Sequence, residues 1–193
     1  MNGLTQIITQ QIAGKAASQM AQRLGVSEST AQTAVQLAVP LILSALARNA
    51  SQPQGAQELH QAVASDHDGS IFDQLSSYLG NPESANGSGI LGHVLGGQRP
   101  AVESSLAQAT GLDQNSAGSL LEMVAPLVMG AVGREQQQNG LDANGLSQYL
   151  DQQQQQAQGA NPDLMGTLSS MLDSNKDGSV TDDLSRIAGS FFK

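Results

Sequence analysis

The sequence predicts an all-α fold of two pseudo-repeated helical units with proline-kinked core helices. Three observations carry that prediction. Apolar residues recur at helical spacing along most of the chain. Shifted by 86 positions, residues 24–48 lie over 110–134 without a gap. No stretch alternates with the period of two that a half-buried strand requires.

Taken in order, the elements begin with Leu4, Ile8, Ile12, Ala16 and Met20, a stripe that marks one face of a helix. Gly25 is placed to stop it, and Ser27 to open the next. That next helix is strongly apolar and holds Pro40. A proline there removes one backbone hydrogen bond and kinks the helix, at a cost of about 3 kcal/mol unless packing offsets it. The second copy repeats the plan: Gly111 meets Gly25, Asp113 takes the cap position, Pro126 meets Pro40 and Arg134 meets Arg48. Both arginines are expected at helix ends, holding the last carbonyls. Further helices are expected near 55–64, 72–79, 89–96, 99–109, 143–154, 162–172 and 180–191. Gly92 and Gly96 lie one turn apart, the spacing of a smooth face for close helix packing or of a loose turn. The tracts Gln136–Gln138 and Gln152–Gln156 read as exposed helix ends or linkers. The first unit is expected over 1–86. The second, over 87–193, carries the Gln-rich insert and a C-terminal Asp-rich loop.

Composition narrows the function. Of 193 residues 39% are apolar and 13% charged, against about 25% charged in an average domain. The net charge is -9 and aromatics make up 3%. Such a chain has neither a basic footprint nor a stacking platform for nucleic acid. Without cysteine it forms no disulfide, thiolate metal site or cysteine nucleophile. The N-terminal residues lack a basic region followed by a continuous apolar stretch, so a cytoplasmic location is expected. The longest apolar runs, 34–47 and 120–132, are shorter than the roughly 18–20 residues that span a bilayer. Gln36, Ser44 and Glu122 interrupt them. They are expected as core helices, with no transmembrane segment.

One chemical motif stands out. Asp173, Asn175, Asp177, Gly178 and Ser179 match the first half of an EF-hand-type loop. Calcium takes six to eight oxygen ligands, and alternating side chains plus one carbonyl supply them around a tight turn. Asp173, Asn175 and Asp177 would give side-chain oxygens, Ser179 its carbonyl, and Asp183 a closing carboxylate. Calcium is therefore the one candidate cofactor. The motif departs from the pattern at its twelfth position, where Leu184 replaces the bidentate acid. The segment Asp66–Leu75 resembles Asn175–Leu184, but Ala64 stands at its first ligand position. Both segments also fit Ser-x-x-Asp capping boxes, at Ser70–Asp73 and Ser179–Asp182, which need no metal. His67, between Asp66 and Asp68, is expected on the surface with its pKa raised by those acids. His60, His67 and His93 show no paired metal-ligand spacing, and no nucleophile elbow or phosphate loop is present. No catalytic residue is assigned and no enzyme is expected.

Several of these segments are familiar together. Gly89-Ile90-Leu91-Gly92-His93-Val94-Leu95-Gly96-Gly97, Ala101-Val102-Glu103, Leu121 through Ala131, and Asp177 through Leu184 resemble the YidB-like bacterial family of unknown function. The resemblance covers roughly 24–186. It implies a small all-α bacterial protein and carries no activity, substrate or catalytic residue. The reading that follows is a non-catalytic interaction or self-assembly module, whose partner is a protein or a second copy of the chain. A calcium-binding regulatory or structural protein is the alternative.

Overall fold

Caps, glycines and prolines divide the chain where the sequence places them. The computed structural model describes residues 15–160, and every regular element among them is helical. Helix α1 is described over Lys15–Leu24 and closes at Gly25, after which the Val26 N–H donates to the Ala21 carbonyl at 3.0 Å. Helix α2, Glu28–Ala50, opens at Ser27, whose hydroxyl accepts the Thr30 N–H at 3.1 Å. Pro53 starts α3, Pro53–Ser65, at a position where a missing N–H costs nothing. A 3₁₀ turn over Ser70–Phe72 leads to the short α4, Leu75–Gly80. A second such turn, Pro82–Ala85, leads to α5, Gly87–Leu95. Helix α6 spans Arg99–Thr110, α7 spans Gln114–Asn139 and α8 spans Ala143–Ala160. Asp113 caps α7 through the Ser116 N–H at 3.0 Å, and Asp142 accepts the Gly145 N–H at 2.7 Å where α8 begins. Each such cap contributes about 1 kcal/mol.

Residues up to Gln156 form one compact unit, and the chain from Ala157 onward belongs to a second. In the first unit α2 and α7 pack against each other, and α7 also carries α5 and α6 on its surface. Helix α1 lies on α2, and α3 touches both long helices. Ile42, Leu43 and Leu46 of α2 and Leu120, Leu121 and Leu127 of α7 are fully buried. Burying each such side chain contributes roughly 1.5–3 kcal/mol. Both prolines lie inside these helices and are buried.

The two long helices exceed the apolar runs from which they were expected. At 23 and 26 residues they are long and apolar enough to cross a membrane by length and composition alone. Their most apolar windows are 67% and 83% buried inside the fold, which is how core helices meet the same test.

Pro126 supplies no N–H to the Glu122 carbonyl four residues before it. Gly87, at the start of α5, backs onto that carbonyl, and a methyl added at Gly87 would collide with it. A second close approach joins α7 to the chain after α3, where a methyl on Gly133 would run into the carbonyl of His67. The expected packing glycines are different ones. Gly92 and Gly96 are exposed with open space where a side chain would stand, and Gly96 ends α5 instead of packing. The Gln tracts also depart in part from expectation. Gln137 and Gln138 are exposed at the end of α7 as expected, but Gln136 and Gln153 are buried, and Gln152–Gln156 runs inside α8 instead of forming a linker.

These contacts separate the glycines by consequence. Gly133→Ala forces backbone apart and should lower stability by about 1–3 kcal/mol, read as a melting temperature lower by roughly 2–12 °C. Gly92→Ala, in open space on a helix, should leave the melting temperature unchanged or raise it slightly. Equal effects at the two sites in a thermal melt would contradict this packing.

Candidate functional site

The Asp-rich loop that follows α3 gathers the chemistry-bearing residues of the described chain. Ser65 ends the helix, and Asp66 continues as its C-cap. Gly69 then adopts φ +90°, a left-handed turn that a side chain would strain. Ser70 donates its N–H to the Asp68 carboxylate at 2.9 Å, and its hydroxyl first and its N–H second hold that carboxyl below the usual range. The expected capping box is therefore replaced. Ser70–Phe72 forms one 3₁₀ turn with no side-chain cap at Gly69, and the acid that holds the backbone is Asp68, two residues before Ser70, rather than Asp73.

Arg134 of α7 clasps this loop. Its guanidinium donates to the Gly69 carbonyl at 2.9 Å and lies 3.6 Å from the Asp73 carboxylate. It also sits 5.2 Å from the centre of the Phe72 ring, within cation–π reach. The expected role at a helix end is corrected here, because α7 continues to Asn139 and frees Arg134 to reach sideways. Small residues make the reach possible. An added methyl on Gly130 would meet the Ile71 side chain at 2.7 Å, and one on Gly69 would meet the Arg134 Cβ at 2.9 Å.

Beside the clasp lies an open cavity of about 570 Å³, lined by Asp66, His67, Asp68, Tyr78, Asn81 and Asn86 among others. Two of its groups differ from their usual state. Burial lowers the His67 pKa and outweighs Asp66 and Asp68, which pull the other way, so the expected upward shift is reversed. The Tyr78 hydroxyl donates to the Met123 carbonyl at 2.7 Å, and burial pushes its pKa well above the phenol range. The cavity thus presents exposed carboxylates and a neutral imidazole over a phenol already committed to α7. Its edge at Asn86 (φ +51°) is shared with a smaller cavity of about 340 Å³ that includes Arg23, Glu83 and Glu122.

The sequence reading missed a second arginine centre. Arg99 donates to Glu103 at 2.6 Å, to Glu122 at 2.5 Å and to the Ser88 hydroxyl at 2.9 Å, joining α5, α6 and α7. The Arg99–Glu103 spacing of four was its one local signal. Among the described residues no group of three or more His, Cys, Asp or Glu side chains is placed to hold a metal ion. The calcium candidates Asp173, Asn175, Asp177, Ser179 and Asp183 lie outside the described residues, as do the helices expected near 162–172 and 180–191.

Two measurements check this account. Arg134→Ala removes a charged donor from a carbonyl and should destabilise by about 1–3 kcal/mol. Hydrogen exchange should quicken at Ser70–Asp73, and Arg134→Lys, without the planar fork, should recover only part of the loss. His67 binds its proton less readily folded than unfolded, where its value is near 6.5. Its neutral ring therefore contributes stability above that value, lost as pH falls through it. His67→Gln should flatten the decline in melting temperature between about pH 7 and about pH 5.

Comparison with known proteins agrees with the resemblance and changes its limits. A family model described as a bacterial protein of unknown function, DUF937, matches residues 6–135. The match begins before residue 24 and stops short of the C-terminal Asp-rich segment. No curated protein and no solved structure matches the chain. The matched span contains α2, α5, α6, nearly all of α7 and the whole Arg134 clasp, and the chain belongs to this DUF937 family, of which YidB is also a member.

Proposed function

We propose that the protein is a non-catalytic interaction module that assembles with itself or with a protein partner. One observation carries this reading: the polar groups best suited to chemistry are spent on holding helices together. The Tyr78 hydroxyl is tied to α7, Asp68 holds its own turn, Arg134 holds the loop and Arg99 joins three helices. The sequence adds the motive for assembly. Matching glycine, proline and arginine positions in 24–48 and 110–134 mark two related helical units. In the first unit their long helices associate through small and apolar side chains. A duplicated surface that packs on its own twin is chemically suited to recognise another copy. A cytoplasmic location goes with this reading.

Calcium binding is the second reading, supported by the ligand spacing at Asp173, Asn175, Asp177, Ser179 and Asp183. Two experiments separate them. Light scattering on the purified chain across rising concentration should give a defined multiple of the single-chain mass. A strict monomer with no recovered partner would count against assembly. For calcium, millimolar metal should raise the melting temperature, and Asp177→Ala should abolish the rise. An unchanged melting curve would remove the metal.

A further inference from the structure

The cavity beside the Arg134 clasp is lined by polar groups that the fold leaves unused. Gln74, Ser77, Asn81 and Asn86 line it, and none of their side chains hydrogen-bonds another described residue. The Asp66 carboxylate and the His67 ring, in the same lining, also make no hydrogen bond among the described residues. Asn86 is the clearest case. It stands at the N-cap of α5, where an asparagine ordinarily accepts a helix N–H, yet it makes no side-chain cap hydrogen bond. Among the described residues it is also the one non-glycine with a positive φ, at +51°, a backbone cost of the kind that gathers at binding sites. The frame behind these groups is held. Tyr78 is tied to the Met123 carbonyl, the Ser84 hydroxyl donates to the Asn81 carbonyl at 2.7 Å, and Arg134 grips the Gly69 carbonyl. A held frame lowers the ordering cost of binding.

We propose that this cavity is a binding site for a small neutral saccharide. A carboxamide, a hydroxyl and a neutral imidazole each offer both a donor and an acceptor, which is what a sugar hydroxyl needs from its partner. Asp66 adds an acceptor. Ile71, Ala85 and Ile90 supply apolar contact for the C–H edges of a sugar ring. The volume of about 570 Å³ falls within the roughly 300–1,000 Å³ of small-molecule sites. Other ligand classes fit less well. No lysine or arginine lines the cavity, and Asp66 and Asp68 repel a phosphate or a carboxylate. An apolar ligand would strand the amides unpaired. A diamine would meet one unbonded carboxylate, since Ser70 already holds Asp68, and would leave the donors of three carboxamides without acceptors. Amides and hydroxyls do not exchange protons usefully near neutral pH, so this lining supports recognition without reaction. The site needs no second chain and is independent of self-assembly.

The test is amide chemical-shift mapping by NMR on the full-length chain, titrated separately with maltose, chitobiose, glucose phosphate and putrescine at matched millimolar concentrations. At least one of the two neutral sugars is expected to move the amides of Gln74, Ser77, Asn81 and Asn86, with the millimolar affinity of an open cavity, while the phosphate and the diamine leave them in place. Asn81→Ala removes an exposed amide and should weaken sugar binding roughly two- to tenfold. Asn86→Gly keeps the left-handed backbone without the amide and should do the same. Gly92→Ala, outside the lining, should leave the affinity unchanged. If neither sugar moves these amides, the inference is overturned. If glucose phosphate or putrescine moves them as strongly as the sugars do, the neutral class is overturned. Sugar-induced shifts confined to other residues, or an affinity untouched by both Asn81→Ala and Asn86→Gly, would place the sugar elsewhere and overturn it as well.

Discussion

The close approach of helix backbones across α7 is the constraint on which the first unit depends. Gly87 sits against the Glu122 carbonyl that Pro126 leaves without its helical donor, and Gly133 sits against the carbonyl of His67. A carbonyl without a helical partner would normally seek water. Here it meets the bare backbone of a neighbouring element. The proline is therefore matched to its surroundings, and the cost of breaking the ladder is offset by packing that no side chain at Gly87 would permit. The Tyr78 hydroxyl on the Met123 carbonyl adds a polar tie on the next residue of α7.

Electrostatics follow from that frame. In a chain with few cations, Arg99 and Arg134 each bind several acceptors instead of decorating the surface. Arg99 draws two carboxylates together, and their hydrogen bonds raise its already high pKa. Arg134 reads a backbone carbonyl, a carboxylate and an aromatic face at once, a combination suited to a planar guanidinium and not to an ammonium. The loop it holds is short, and Gly69 and the Asp68 carboxylate shape its turn alongside the arginine.

What could be read in the sequence was local. The caps at Ser27 and Asp113, the stop at Gly25 and the extents of α3 and α6 follow from short-range chemistry, and each left a mark within a few residues. The errors arose where distant chain decides the outcome. His67 reads as a histidine between two acids, but α7 packs against its backbone at Gly133 and burial reverses the shift. Gly92 and Gly96 carry the spacing of a packing motif, yet the helices approach at Gly87 and Gly133, which no periodicity singles out. Arg134 could not be assigned its partner, because Gly69 is 65 positions away along the chain.

The two phenols have a consequence for how the protein can be watched. The chain has two tyrosines and no tryptophan, so Tyr78 and Tyr149 dominate its near-ultraviolet emission over the weak signal of its three phenylalanines. Burial holds both hydroxyls protonated well past their ordinary value near 10, and the Glu135 carboxylate reinforces this at Tyr149. A phenol that ionises more readily in the open chain makes the fold less stable as alkalinity rises. Tyrosinate absorbance in base therefore reports opening of the helices, giving the molecule an internal dye at Tyr78 beside the clasped loop and at Tyr149 on α8.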